Sequence, residues 1–127
     1  MRRTPRYRWI FLRREEAGTI DDYGIPTESF TFITSGLFGK ERAKRAVEVI
    51  DGGATVGSTQ YVLIGAYSRH YHTAITSDLI AWCPALGDEI LELIESPIDL
   101  DGRQESLLIP VVDNVERVYD TGSFPTS

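Results

Sequence analysis

Side chains along "YRWIFLR" at 7–13 alternate between faces in the period-two manner of a strand, with the aromatic Tyr7, Trp9 and Phe11 on one face and Arg8, Ile10 and Leu12 on the other. The same period of two, with aromatic and β-branched residues, returns in "ESFTFIT" at 28–34, and between the two segments "AGTIDDYGIPT" carries the Asp-Asp, Gly24 and Pro26 of a turn region. Further along, "TQYVLIGAY" at 59–67 reads as a long strand, "SDLIAW" at 77–82 as a shorter one, and "DEILELIES" and "ESLLIPVV" as a final pair. Leu and Glu would also suit a helix at 88–96, but the segment is short and lies between turn signals, which favours a strand. Asp101-Gly102 is a hairpin turn signal, and Pro110, which cannot donate a ladder hydrogen bond, predicts an edge or a bulge.

The period changes at one place. Ala43, Ala46, Val47 and Ile50 fall at i, i+3, i+4 and i+7 and predict a short helix over about 39–50, ended by "DGG" at 51–53. Its apolar stripe is narrow, and Lys40, Arg42, Lys44 and Arg45 cover much of the rest. The whole pattern predicts a mainly β protein, a small barrel or sandwich of about six short strands with one inserted helix. The expected division of this single 127-residue domain is a basic arm at 1–6, a barrel at about 7–113 interrupted by a helix and loop at 35–60, and a polar, mobile tail at 114–127.

Charge sharpens this picture. The chain has 13 Lys and Arg against 19 Asp and Glu, yet six of the cations are arginines within the first 14 residues and four lie on the predicted helix. From Asp78 onward 11 acidic residues face two arginines, a field that repels nucleic acid. No apolar run approaches the ~20 residues of a membrane helix, so no membrane partner is expected, and the basic N-terminus lacks the pattern of a secretory signal.

Candidate chemistry is sparse. Cys83 is the sole cysteine, which excludes an internal disulfide and a multi-thiolate metal site; it reads as a buried small apolar residue. His70 and His72 are spaced to point the same way on a strand, with Asp78 the nearest third ligand, but two ordinary histidines on a polar segment are the simpler reading, so no metal and no cofactor is expected. Glu15-Glu16, Asp21-Asp22 and Asp88-Glu89 read as solvated charges, and neither a nucleophile elbow nor a phosphate loop is present, so nothing calls for an enzyme. Arg2, Arg3 and Arg6 form an arm that would touch phosphate or an acidic neighbouring subunit, or merely solubilise the chain.

Taken in order, a strand ending in arginines, "DDYG" at 21–24, an aromatic strand, "GKE" at 39–41, "YVLIGAYSRHYHTAIT", "DEILELIES" and "DGRQESLLIPV" resemble the head-tail joining proteins of tailed bacteriophages, also called head-closure or head-completion proteins. The resemblance spans about residues 7–113. It implies a small non-enzymatic β-barrel, made in the host cytoplasm and placed in the virion neck. There it would form a ring with itself, commonly of twelve copies, below the portal and its adaptor. The ring would close the DNA-filled head and dock the tail-terminator or tail proteins. The 35–60 segment would project toward the channel, where Lys40, Arg42, Lys44 and Arg45 would meet the genome end or the next subunit. A tail-terminator position, a cellular OB- or SH3-like module binding nucleic acid or peptide, and a metal-dependent enzyme using His70 and His72 are the alternatives.

Overall fold

The computed structural model describes residues 5–20, 26–42, 58–114, 119 and 121–127. Seven strands form one antiparallel sheet: β1 Arg6–Ile20, β2 Pro26–Arg42, β3 Ser58–Ala66, β4 Leu79–Cys83, β5 Glu89–Leu93, β6 Ile98–Asp99 and β7 Ser106–Asn114. The order runs β3-β2-β1-β4-β5-β7, and β7 pairs back onto β3 from Ser58↔Asn114 to Ala66↔Ser106. Six strands therefore close into a barrel, and β6 adds to β7 as an extra strand. Helix among the described residues is limited to α1, Arg69–Ala74, and short 3₁₀ turns.

The alternation read from the sequence decides what lies inside. Trp9 and Phe11 of β1 meet Phe38, Leu63, Leu79, Ala81, Cys83, Leu91, Ile109 and Val111 in one buried cluster that fills the barrel. Full burial of each large side chain is worth about 1.5–3 kcal/mol. The opposite face of β1 is covered as well: Ile10 and Leu12 pack with Ile80, Trp82 and Phe124 in a second cluster outside the barrel. Covered on both sides, all five residues of β4 are buried. Where Phe11↔Thr34 gives way to Leu12↔Phe32, Ile33 is an extra residue on β2, a bulge that bends the strand as closure requires.

Several sequence expectations are corrected. Residues 39–42 are strand, not the start of a helix: β2 runs unbroken to Arg42, pairing Gly39↔Ile64 through Arg42↔Tyr61 with β3. Residues 35–42 and 58–60 thus belong to the barrel wall rather than to an insertion, and the remainder of the predicted helix, 43–50, lies outside the described residues. The ladder to β3 overrides a helical preference that Lys40, Glu41 and Arg42 carry locally. Neither are all the strands short, since β1 has 15 residues and β2 has 17.

Pro110 is on neither an edge nor a bulge. It stands opposite Val62 inside the β3–β7 ladder, and its carbonyl accepts from the Ile94 amide on the other flank (3.0 Å). A residue's N–H and C=O point to the same side of a strand, so the missing donor faces that flank too. There β7 passes from pairing with β5 at Leu93↔Val111 to pairing with β6 at Ile98↔Leu108, so the missing donor falls at the junction between the two partner strands. The hairpin signal at Asp101 and Gly102 is realised as the β6–β7 connection, both residues at positive φ (59° and 65°). The tail expected to be mobile is laid against the barrel in its described part, with Phe124 buried.

Candidate functional site

Of the four cations assigned to a channel-facing helix, Lys40 and Arg42 lie on β2. Two residues beyond the inward-facing Phe38, Lys40 shares its face and reaches Glu89 at the start of β5, Nζ to Oε1 2.5 Å, while standing 4.6 Å above the Tyr61 ring. Glu89, read from the sequence as a solvated charge, is therefore half of an ion pair tying β2 to β5. Its neighbour Asp88 accepts from Trp82 Nε1 at 3.1 Å. Arg42 is exposed, and Lys44 and Arg45 lie outside the described residues. Arg6 is exposed at the start of β1, opposite Gly39; Arg2 and Arg3 lie outside the described residues.

The histidines occupy α1 rather than a strand, and at i, i+2 on a helix they diverge by about 200°. His70 Nε2 lies 2.9 Å from Thr34 Oγ1 of β2, and His72 Nδ1 lies 3.4 Å from Tyr67 Oη. Asp78 accepts from Thr76 and from Arg13 Nε (3.1 Å). The three candidate ligands point at different partners, and no group of three or more His, Cys, Asp or Glu among the described residues could hold a metal.

Between the two histidines, Tyr71 does the packing. Its ring tilts onto Phe38 (5.6 Å between centroids), and a β-carbon at Gly36 would stand 2.7 Å from its hydroxyl, so α1 closes over the barrel only because position 36 has no side chain. Ile75, just past the helix, enters the interior cluster. Cys83 is buried in that cluster as expected, and burial pushes its thiol above the ordinary range, so it is an inert packing group.

The Asp78 carboxyl is held below its ordinary value of 3.8 by the Thr76 hydroxyl first and by the Arg13 guanidinium as well. A depressed folded-state value stabilises the fold above the unfolded pKa, and that contribution is lost as pH falls through the lower, folded one. Asp78→Asn is therefore expected to lower stability by a constant amount above pH 3.8 and to flatten the profile below it, as read by urea titration across pH. With the side chain 58% exposed the effect should stay under about 1 kcal/mol. An unaltered acid limb would show that the pair contributes nothing.

Two features carry no mark in the motif reading. An open cleft of about 230 Å³ lies between Arg14, Asp78, Ile80, Glu92 and Tyr119. Beside it, aromatic rings gather outside the barrel around Phe124, whose centroid is 4.6 Å from Phe30 and 5.1 Å from Trp82. A large apolar residue alone in "GSFPTS" is the signal that would have found this cluster.

The chain matches no protein-family model and no curated protein. Among solved structures it is similar to the solution structure of protein SF1141 from Shigella flexneri 2a, a structural genomics target, with a TM-score of 0.56 and 18% sequence identity. That likeness covers 90% of this chain and 96% of the other, and it is a likeness of fold.

Proposed function

We propose that this chain is a structural subunit of the neck of a tailed bacteriophage, one copy of a ring below the portal and its adaptor that closes the DNA-filled head and offers the tail its docking surface. The observation that carries the reading is the ribbon formed by β1 and β2. β4 pairs with β1 only over 10–13, whereas β1 and β2 remain paired as far as Ile20↔Pro26. Beyond Arg13 the two strands are laddered, among the described residues, only to each other, continuously from Arg14↔Phe30 to Glu16↔Glu28 and then, past an irregularity, at Ile20↔Pro26, about seven residues or ~20 Å along β1. An isolated two-stranded ribbon is marginal in water, so one of this length suits a subunit that lays it on a neighbour.

Closure supports the same reading. With its six main strands joined edge to edge, the barrel must associate through arms and side-chain faces rather than by adding strands to a long open edge. Leu37, 61% exposed and opposite Arg8 on the outer wall, is one apolar contact available to a neighbour, and Ile98 and Leu100 are two more. The kind of ring comes from the sequence resemblance to head-closure proteins. With Lys40 engaged by Glu89, contact with the genome end falls to Arg42, Lys44 and Arg45.

A nucleic-acid-binding module would display aromatic rings for bases to stack on. Here Trp9, Phe11 and Phe38 fill the barrel, while Phe30, Trp82, Tyr119 and Phe124 pack on one another. The test is peptide mass spectrometry on density-purified particles from the source culture, comparing DNA-filled heads that lack tails with complete virions. The chain is expected in complete virions at about the portal's copy number. Its absence from particles while abundant in the cell would reject the neck role.

A further inference from the structure

The C-terminal residues 119 and 121–127 cross the outside of the barrel as a strap. Tyr119 Oη donates to Glu92 of β5 (3.2 Å), Phe124 stands against Trp82 of β4 and Phe30 of β2, and Arg8 of β1 donates to the Thr126 carbonyl (3.3 Å). No ladder joins the strap to any strand among the described residues. One phenylalanine, 7% exposed in an otherwise polar segment, occupies a socket of Phe30, Trp82, Ile10 and Leu12. An aromatic anchor seated in a desolvated pocket and framed by a few polar contacts is how peptide segments are held at interfaces.

We infer that this socket is an exchange site that takes the C-terminal segment of a second copy of this chain, the strap described here being the same contact closed within one molecule. The inference rests on the ring reading and names one of its subunit contacts. An identical segment makes identical contacts in trans, so exchange within a symmetric assembly costs little, and among the described residues no backbone ladder has to break to release the strap. Which copy supplies the segment is then set by the local concentration of neighbouring copies. The seated occupant also defines the partner's chemistry: an aromatic residue followed by proline, with a backbone carbonyl placed for an arginine.

The test uses the full chain with p-benzoylphenylalanine in place of Thr126, an exposed position beside Arg8, mixed with a tenfold excess of ¹⁵N-labelled wild-type chain. After irradiation, mass spectrometry separates adducts on unlabelled β1 peptides, formed within one molecule, from adducts on labelled ones, formed between molecules. Adducts between molecules are expected to rise with concentration from micromolar towards millimolar. Phe124→Ala in the photoactive chain should reduce them about tenfold or more. Adducts confined to one molecule over that whole range would overturn the exchange site, as would adducts between molecules that Phe124→Ala leaves unchanged. Should Phe124→Ala fail to fold by circular dichroism, Phe124→Leu replaces it, keeping an apolar anchor without the ring contacts. Particle composition is a separate readout: a chain present in virions whose strap stays within its own molecule keeps the neck role and loses only this contact.

Discussion

Gly65→Ala is expected to destabilise the barrel by about 2–3 kcal/mol, read as a lower urea midpoint at unchanged slope. A β-carbon on Gly65 would stand 2.5 Å and 2.7 Å from two atoms of the Phe38 ring and 2.9 Å from the Leu37 carbonyl oxygen. The backbone at Gly65 lies outside the left-handed region, so the cost is steric rather than conformational. Phe38 cannot yield: it is fully buried, edge-on to Phe11 (5.5 Å between centroids) and tilted against Tyr71. Phe38→Ala alone should cost about 3–5 kcal/mol, as a large cavity opens in the barrel interior. The two changes should not add. With the ring gone, the alanine methyl at position 65 enters the vacated space, and the double variant should be more stable than the sum of the singles predicts by at least about 1 kcal/mol. Simple additivity would mean that the close approach of β2 to β3 at this point is not set by Phe38 against Gly65.

Removing one partner of the Lys40–Glu89 pair is the second large effect. Their side chains are 26% and 20% exposed, so Glu89→Ala leaves an ammonium largely but not fully removed from water, with the Tyr61 ring beside it. A fully buried pair broken in this way costs about 3–5 kcal/mol; partial solvation reduces the expectation to about 1–3 kcal/mol. Lys40→Met combined with Glu89→Leu should be close to neutral, because neither charge is then stranded. Chemical denaturation of the two singles and the double, at low and high salt, reads the result. A Glu89→Ala variant as stable as wild type would show that the pair contributes nothing to the wall and would return Lys40 to the cations proposed to meet the genome end.

Different parts of the molecule were legible to different degrees. The strand segments were readable because a period of two is local: Trp9 and Phe11 face inward and Ile10 and Leu12 outward, as their spacing requires. The 88–96 segment, where helix and strand competed, contains β5 because short apolar runs between turns favour strands. The turn at Asp101 and Gly102 was legible because both residue types tolerate the positive φ they adopt. The helix that carries the histidine pair was missed for the converse reason. "SRHYHTA" has no apolar stripe to announce a helix, and α1 is instead held from outside, by Tyr71 wedged over Gly36 and by His70 against Thr34.

By itself, then, the sequence determined the centres of the main strands, which of their faces are apolar, that Cys83 is buried and where the β6–β7 turn falls. Tertiary structure decided the rest. Closure of β7 onto β3, the continuation of β2 through Lys40 to Arg42, the pairing of Lys40 with Glu89 and the seating of Phe124 are contacts between residues far apart in the chain, up to 118 positions in the case of Arg8 and Thr126. Local propensities differ by only tenths of a kcal/mol per residue, and a ladder bond or a buried ring outweighs them once the chain has closed on itself.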